Sequence, residues 1–182
     1  MPNLLIDLIK VTETKLIGIA PFAQHKAKNY PLDLMEDVIK KLSEKNIGQI
    51  LLFGGGKEQV TILSNFEKKY ENVICIAGKI SLENELILIA NTDCMLSMDS
   101  GNAHFSAMFG VPTITLWGAT HPYAGFYPFQ QSMENALLPD LKKYPKIPTS
   151  IYGNKQVEGY EDAMRTILPE TVIDRIETII KG

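Results

Sequence analysis

Residues 94–117 read CMLSMDSGNAHFSAMFGVPTITLW and contain the pattern of one strand–helix–strand unit. The runs Cys94–Met98 and Thr113–Trp117 are short and nearly continuously apolar, as expected for strands covered on both faces of a parallel sheet. The segment Gly101–Phe109 between them predicts a short helix, which Gly110 ends. Because parallel strands need a crossover between them, the stretch predicts an α/β fold.

The same alternation extends toward the N-terminus. Three further apolar runs predict strands at Leu16–Ala20, Ile47–Phe53 and Val73–Ala77. A helix is predicted from Pro31, in its first turn, to Asn46, because apolar residues recur there at spacings of three and four. Another helix begins after Ser81, whose hydroxyl is a common helix cap. These segments predict an open parallel sheet with helices on both faces.

The remaining segments are less regular. Ala119–Pro148 holds five of the ten prolines and has no clear period, so it is predicted to be a loop. Pro169 begins a final amphipathic helix whose apolar side includes Val172 and Ile173. Met1–Thr14 is predicted to be a linker or a stray helix.

Length and composition exclude several classes of protein. The chain has 182 residues, which is enough for one domain. Its formal charge of -3 provides no basic field for nucleic acid, which is not expected as a partner. Cys75 and Cys94 lie in apolar runs, which predicts buried thiols rather than a disulfide or a metal site, and a reducing compartment. No apolar stretch approaches the roughly 18 residues that span a bilayer, so a soluble, unexported chain is expected.

Small and polar residues follow each predicted strand. In an open parallel sheet, ligands bind beyond the carboxyl ends of the strands. Glycines there let a ligand approach the backbone, and a helix beginning at Gly101 directs its free N–H groups toward the same place. An anion is therefore the expected ligand, although short loops also need glycine for their turns. The segments are Pro21–Ala23, Gly54–Gly56, Gly78–Lys79, Asp99–Gly101 and Gly118–Thr120.

Several side chains in these loops have both a functional and a structural interpretation. Lys26 and Lys28 follow the first strand, where a lysine either supplies a point charge for a diphosphate or lies in solvent. His104, in the first turn of its helix, either donates to a phosphate oxygen or packs inside the domain. Asp99 either contacts the ligand or caps the helix that follows it. The pattern alone leaves these alternatives open.

Other site chemistries lack their sequence patterns. Gly54–Lys57 has neither the G-x-G-x-x-G spacing of a dinucleotide site nor the G-x-x-x-x-G-K-[ST] spacing of a P-loop. The three histidines are scattered, and no D-x-D or H-x-x-H pair indicates a metal site. Ser100 does not lie in the G-x-S-x-G pattern of a nucleophilic serine. The aromatic residues of Tyr123–Phe129 either line an acceptor site or pack the loop.

The stretch from Met98 to Thr120 resembles the signature of glycosyltransferase family 9, the ADP-heptose:lipopolysaccharide heptosyltransferases. Asp99, Gly101 and His104 stand at the first fixed positions of this signature, which is D-[ST]-G-x-x-H-x-A-x-x-x-G-x-P. Other segments resemble further family motifs in the same order, and the likeness extends over residues 16–180. These segments are Pro21–Ala23 with Lys28–Pro31, Gly54–Glu58, Gly78–Leu82 and Ala163–Ile167.

The resemblance implies a Rossmann-like fold. Members of the family have two such halves in a GT-B arrangement, and this chain resembles the C-terminal, nucleotide-sugar-binding half. Residues 16–182 are accordingly expected to form the nucleotide-sugar-binding domain, and residues 1–15 a linker or N-terminal segment. The acceptor site and the general base are expected in an N-terminal half outside this chain. One departure is Ala163, which stands where members often have a cysteine.

The activity implied by the resemblance is metal-independent, inverting transfer of heptose or a related sugar from an ADP-sugar to a lipopolysaccharide-type acceptor. No cofactor is expected, because the ADP-sugar is a substrate. Lys28 and Asp99 are the implied catalytic residues, which stabilise the leaving group and position the donor. Glu58 is implied to hold ribose hydroxyls and Ile80 to touch the base. The implied nucleotide-sugar site comprises Phe22, Ala23, Lys28, Gly54, Gly55, Glu58, Lys79, Ile80, Asp99, Ser100, Gly101 and His104.

The resemblance also implies partners and a location. The partners are a nucleotide-sugar donor and, through the N-terminal half, a lipid-linked saccharide acceptor. The protein is expected in the cytoplasm, peripheral at the inner face of the inner membrane, and the isolated chain is expected to be inactive. The alternative is a non-catalytic Rossmann-like module that binds a nucleotide or a protein. A GT-B epimerase is disfavoured, because such enzymes tend to have a glutamate where this sequence has His104.

Overall fold

Six strands and six α-helices alternate in the residues described by the computed structural model, which are 3–9, 14–155 and 157–182. The strands are β1 (Leu16–Ala20), β2 (Gln49–Leu52), β3 (Val73–Cys75), β4 (Cys94–Met98), β5 (Thr113–Leu116) and β6 (Ala136–Leu137). The helices are α1 (Asn3–Ile9), α2 (Leu32–Lys45), α3 (Gly56–Lys69), α4 (Leu82–Ala90), α5 (Gly101–Met108) and α6 (Pro169–Lys181).

The six strands form one parallel sheet in the order β3-β2-β1-β4-β5-β6. Gly18 of β1 lies opposite Leu51 of β2 on one side and Met95 of β4 on the other. The predicted α/β fold with an open parallel sheet is therefore confirmed. The strand order reverses between β1 and β4, and ligands of such sheets bind in the crevice at that point.

Five strands lie where the sequence predicts them, but three are shorter. β2 is Gln49–Leu52 rather than Ile47–Phe53, and β3 and β5 also end before their predicted limits. Phe53 and Trp117 are buried although they lie beyond their strands. A continuous apolar run therefore indicates burial between layers, whereas strand pairing ends earlier.

The prediction of an unbroken loop over Ala119–Pro148 is wrong at one place. Ala136 and Leu137 form strand β6, which pairs with Thr115 and Leu116 of β5. Two residues are too few to show a periodic pattern. Only the tertiary structure places them in the sheet.

The helix ends follow the chemistry of capping, with one correction. α2 ends at Asn46, whose φ of 49° is the left-handed conformation that asparagine tolerates better than most residues. Ser81 caps α4 by accepting a hydrogen bond from the N–H of Asn84. Pro169 begins α6, as predicted. Pro31 is the N-cap of α2 and not part of its first turn, because its ψ of 129° is extended.

Helices cover both faces of the sheet and bury two apolar layers, as predicted. α2, α3 and α6 pack on one face, where Val38, Leu63 and Ile173 are buried. α1, α4 and α5 pack on the other face, where Leu5 and Leu88 are buried. None of the helices in the described part of the chain is long and apolar enough to cross a bilayer.

Both cysteines are free thiols buried inside the domain. Cys75 ends β3 and Cys94 begins β4. Burial raises the pKa of Cys94 to about 12, and it also raises the pKa of Cys75 above its ordinary value. The prediction of buried thiols rather than a disulfide is confirmed.

The N-terminal segment contributes a helix to the second apolar layer. Leu5 and Ile9 of α1 are 0% and 2% exposed. Of the two predictions for Met1–Thr14, a linker or a stray helix, the structure contains a helix, and it packs on the sheet. Residues 1–2 and 10–13 lie outside the described residues. The domain boundary after residue 15 stays a prediction.

The packing of α1 predicts that Leu5→Ala lowers the free energy of unfolding by about 2–5 kcal/mol, because a buried leucine leaves a cavity when truncated. Asp7 is exposed on the same helix, so Asp7→Ala is the control and should change stability by less than about 0.5 kcal/mol. Urea denaturation of the full chain measures both. Equal stability of the two variants would contradict the docking of α1 on the sheet.

Candidate functional site

The candidate site lies where the carboxyl ends of β1 and β4 meet. The two strands are neighbours in the sheet, with Ala20 opposite Ser97. Parallel pairing therefore places the loop after β1 beside Asp99–Gly101, which follows β4. Residues far apart in the chain share one edge of the sheet, as the strand-end rule predicts.

A buried ion pair joins these two loops. Nζ of Lys28 lies 2.8 Å from Oδ2 of Asp99, and the two side chains are 14% and 5% exposed. Thr120, after β5, donates its hydroxyl to the same carboxylate oxygen at 2.8 Å. The capping role considered for Asp99 is not observed, because its carboxylate binds Lys28 and Thr120 instead. The structure thus brings together the two residues implied to be catalytic.

Hydrogen bonds fix the backbone around Lys28. Lys26–Lys28 forms a 3-10 turn, in which the N–H of Lys28 donates to the carbonyl oxygen of His25 at 2.9 Å. The N–H of Ala119 donates to the carbonyl oxygen of Ala27 at 3.0 Å. This second bond ties the turn to the loop after β5, which also carries Thr120.

Tyr30 anchors the end of the same loop. Its side chain is 1% exposed, and its hydroxyl donates to the carbonyl oxygen of Ile167 at 2.6 Å. Burial raises the pKa of Tyr30, and so does the negative charge of Glu170. The phenol therefore stays a neutral donor, and the segment before α6 holds the loop in place.

A small cavity of about 220 Å³ opens at Ser100 and Gly101, the residues that follow Asp99 in the chain. One wall is the N-terminus of α5, where no side chain caps the helix at Ser100. Another part of the wall is Gly55, whose N–H donates to the side-chain oxygen of Gln59 at 2.9 Å. We call this space the rim cavity; its lining residues are Phe22, Phe53, Gly54, Gly55, Gln59, Glu85, Ser100, Gly101 and Asn102.

Glu85 of α4 adds a carboxyl group to the rim cavity. Burial raises the pKa of this carboxyl above its usual value. Glu85 therefore loses its charge at a higher pH than an exposed glutamate does. A carboxyl in such a place is suited to hydrogen bonds with ligand hydroxyls.

A larger cavity of about 560 Å³ lies beside the rim cavity, between the loop after β1 and the segment before α6. The two cavities share Phe22 and Gln59. Arg165 also lines the larger cavity, but two hydrogen bonds of 2.9 Å pair its guanidinium with Asp33. We call this space the acidic cavity because three carboxylate residues line it, namely Glu58, Glu161 and Asp162.

The structure separates the predicted nucleotide-sugar residues into groups. Those on the rim cavity are Phe22, Gly54, Gly55, Ser100 and Gly101, and Glu58 is on the acidic cavity. Lys79 is bound to Glu67 by hydrogen bonds of 2.7 and 3.0 Å, and Ile80 packs against the layer of α1, α4 and α5. Ala23, Lys28, Asp99 and His104 line neither cavity. Their contacts with a nucleotide sugar stay predictions.

The sequence predicted Thr120 only as part of the segment Gly118–Thr120. It did not predict the further site residues Phe53, Gln59, Glu85, Asn102 and Gly153. The sequence did indicate the position of Thr120, because it belongs to the small polar residues that follow β5. Gln59 and Glu85 lie inside helices, and only the fold brings them to the strand ends. Gly153, which lies against Lys28, belongs to a segment without a periodic pattern.

The aromatic loop Tyr123–Phe129 is partly packed and partly exposed. The ring of Tyr127 lies 6.1 Å from that of Trp117, measured between centroids. Tyr123 and Phe129 are 82% and 68% exposed. The ring of Phe126 lies 5.9 Å from that of Tyr152. The loop-packing interpretation therefore holds for Phe126 and Tyr127, whereas Tyr123 and Phe129 are exposed.

The rim cavity has a helix N-terminus on its wall, which is a favourable place for an anion. The N-terminus of a helix carries a partial positive charge and outward-facing N–H groups. Asp99, the residue before Ser100, holds the ammonium group of Lys28 close to this helix end. In the described ranges, no three His, Cys, Asp or Glu side chains come together in a way that could hold a metal ion. That the protein needs no cofactor stays a prediction.

Comparison with known proteins supports the family resemblance. The family model described as glycosyltransferase family 9 (heptosyltransferase) matches residues 6–154. The lipopolysaccharide heptosyltransferase 2 of Salmonella typhimurium is 25% identical over 186 residues, covering 96% of this chain and 49% of the relative. The chain therefore spans about half the length of the curated relatives that it matches.

Two solved structures from E. coli are similar in fold. ADP-heptose lipopolysaccharide heptosyltransferase II gives a TM-score of 0.72 at 21% identity, covering 98% of this chain and 50% of that one. Heptosyltransferase WaaC with ADP gives a TM-score of 0.67 at 20% identity, covering 91% and 44%. At these identities, the likeness shows the fold alone.

The comparisons agree with the signature that contains Asp99 and His104. The matched relatives are heptosyltransferases, which are glycosyltransferase enzymes. The family model covers more than half of the chain. The chain therefore belongs to glycosyltransferase family 9, the heptosyltransferase family.

Proposed function

We propose that this chain is the donor-binding half of a transferase that moves heptose, or a related sugar, from an ADP-sugar to a lipopolysaccharide-type acceptor. The observation that carries the proposal is the Lys28–Asp99 ion pair beside the uncapped N-terminus of α5. It provides a fixed positive charge where the family signature predicts the donor diphosphate. The names of the heptosyltransferase relatives support the class of sugar and acceptor, and the WaaC structure with ADP supports the nucleotide.

We propose that the diphosphate binds in the rim cavity rather than in the larger acidic cavity, because of the charges that line each one. The acidic cavity is lined by three carboxylates, those of Glu58, Glu161 and Asp162, and by Lys26 and Arg165. Because Arg165 is paired with Asp33, the carboxylates outweigh the remaining cation and disfavour a diphosphate. The rim cavity instead offers the N–H groups of α5. A helix N-terminus stabilises an anion by about 0.3–2 kcal/mol. The donor's phosphates therefore lie near Ser100 and Gly101.

Lys28 supplies the charge that the departing nucleotide needs. When the bond between the sugar carbon and the diphosphate breaks, negative charge grows on the diphosphate oxygens. The ammonium group of Lys28 has three N–H donors and is held beside Asp99 by the ion pair, and we propose that it donates to these oxygens. This stabilisation comes from the protein itself, and we therefore propose metal-independent, inverting transfer.

Asp99 acts in this scheme by positioning Lys28. Its carboxylate already accepts from Lys28 and Thr120, so its charge is partly compensated before the donor binds. Glu58 is proposed to hold the ribose hydroxyls and Ile80 to contact the base. Glu85, inside the rim cavity, is a second acceptor for hydroxyl groups.

The general base and the acceptor site are proposed to lie in another half of the enzyme. The chain spans about half of its curated relatives, so by itself it should bind the donor and transfer nothing. With a lipid-linked acceptor, the enzyme would work in the cytoplasm, peripheral at the inner face of the inner membrane.

A second candidate function is supported by the exposure of Tyr123 and Phe129, which would suit a non-catalytic module that binds a protein. Such a module would not need to bind a nucleotide. Nucleotide binding therefore distinguishes the two functions.

Thermal denaturation with ADP, UDP, GDP and CMP tests the proposed function. We expect ADP to raise the melting temperature with increasing concentration. A ligand that binds only the native state stabilises it more as the ligand concentration rises above the dissociation constant. ADP-heptose should act at least as strongly. An unchanged melting temperature with all four nucleotides would favour the protein-binding module.

Gly101→Val should block the rim cavity without unfolding the protein. A Cβ at Gly101 would meet nothing closer than Cε2 of Phe105 at 3.9 Å, so the fold has room for a side chain. The valine would occupy space at the helix N-terminus that the diphosphate needs. We expect at least a tenfold loss of ADP affinity by calorimetry, with Gly101→Ala intermediate. Undiminished affinity in Gly101→Val would place the nucleotide elsewhere.

Lys28→Ala should weaken ADP binding by about tenfold or more, because the diphosphate loses its only neighbouring ammonium in this scheme. It should also lower stability, since Asp99 is left buried with Thr120 as its partner. Lys40, 54% exposed on α2, is the control for the loss of one positive charge. Lys40→Ala should leave ADP affinity within about twofold. Equal affinities of the two variants would contradict the role of Lys28.

A further inference from the structure

The turn Ser150–Asn154 lies against the side chain of Lys28. Gly153, in this turn, has a φ of +75°, in the left-handed region that favours glycine. A Cβ at Gly153 would overlap Cγ and Cδ of Lys28, and it would lie 3.3 Å from Cγ2 of Thr120. A glycine at this position therefore leaves the space through which the lysine stem reaches Asp99.

Hydrogen bonds hold this turn in place. The N–H of Gly153 donates to Oγ of Ser150 at 3.0 Å, and that hydroxyl donates to Oδ1 of Asn154 at 2.9 Å. The N–H groups of Thr149 and Ser150 donate to the carbonyl oxygen of Ala119 at 2.9 and 3.2 Å. The turn is thus fastened to the loop after β5.

The loop after β5 therefore helps to hold both members of the ion pair. Ala119 receives the turn that confines the stem of Lys28, and the adjacent Thr120 holds the carboxylate of Asp99. A lysine stem is flexible and normally loses conformational entropy when it is ordered on a ligand. Confinement before binding removes part of that loss.

We propose that Gly153 and Thr120 are positioning residues for the donor diphosphate, acting through Lys28 and Asp99. The turn at Gly153 keeps the ammonium group beside Asp99, and Thr120 keeps the carboxylate oriented toward the ammonium. The ammonium group of Lys28 is then held in one place for the diphosphate. This inference rests on the proposed function, since it concerns affinity at the same site.

Gly153→Ala against Gly159→Ala is the decisive comparison. Gly159 has a φ of +80°, and a Cβ there would meet nothing within 4 Å. Both substitutions place alanine in the left-handed region, so their backbone strain is matched, but only Gly153→Ala displaces Lys28. We expect ADP affinity to fall by about tenfold in Gly153→Ala and by less than about twofold in Gly159→Ala, measured by calorimetry on the full chain.

A double-mutant cycle separates positioning from a general loss of structure. In the Lys28→Ala background, Gly153→Ala should cause no further loss of ADP affinity, because the side chain that it displaces is absent. A merely structural role would weaken binding in both backgrounds equally. If Lys28→Ala abolishes ADP binding altogether, the comparison of Gly153→Ala with Gly159→Ala tests the positioning role of Gly153.

Thr120 has its own conservative control. Thr120→Ser keeps the hydroxyl that donates to Asp99, whereas Thr120→Val keeps the shape and removes the hydroxyl. We expect Thr120→Ser to retain ADP affinity within about threefold and Thr120→Val to lose about tenfold. Equal ADP affinities of Thr120→Ser and Thr120→Val would show that the hydroxyl of Thr120 has no positioning role.

The outcomes distinguish this inference from the proposed function. Equal ADP affinities of Gly153→Ala and Gly159→Ala, together with a loss in Lys28→Ala, would overturn only the positioning role of the turn. If the unmodified chain binds no nucleoside diphosphate, the proposed function and this inference both fail. A selective loss in Gly153→Ala that disappears in the Lys28→Ala background would establish the positioning role.

Discussion

The ion pair between Lys28 and Asp99 is the constraint on which the ligand-binding edge of this domain depends. Two charges removed from water lose hydration energy, which is recovered only where they meet with good geometry. Loss of one partner from such a buried pair costs about 3–5 kcal/mol. The loops that carry the two residues must therefore keep their positions, and the hydroxyl of Thr120 completes the environment of the carboxylate.

The strand order makes this pairing possible. The chain builds β1, β2 and β3 outward and then returns to place β4 beside β1, so the loops after β1 and β4 meet. The crossover helices α2 and α3 cover one face, and α4 and α5 cover the other. Between them the strand ends stay accessible. The Lys28–Asp99 ion pair and the N-terminus of α5 then lie at the same edge of the sheet, where we propose that a nucleoside diphosphate binds.

Much of the site could be predicted because it follows from where strands end. The apolar runs located five strands, and the residues after them included Gly54, Ser100 and Gly101 of the rim cavity. The family resemblance singled out Lys28, in the motif after the first strand, and Asp99, in the signature, and the fold brings them into contact. The pattern did not settle whether Asp99 caps α5 or contacts the ligand, because both roles are compatible with its position in the chain. The pairing with Lys28 is seen only in the structure.

The sequence by itself determined the alternation of strands and helices, most helix ends and the small polar residues at the strand ends. Each of these features depends on residues close to it in the chain, so a local sequence pattern predicts it. Only the tertiary structure decided the sixth strand, the partners of Asp99, the place of Gly153 against Lys28 and the separation of a rim cavity from an acidic one. Those contacts join segments that are distant in the chain, and loops without a periodic pattern bring them together.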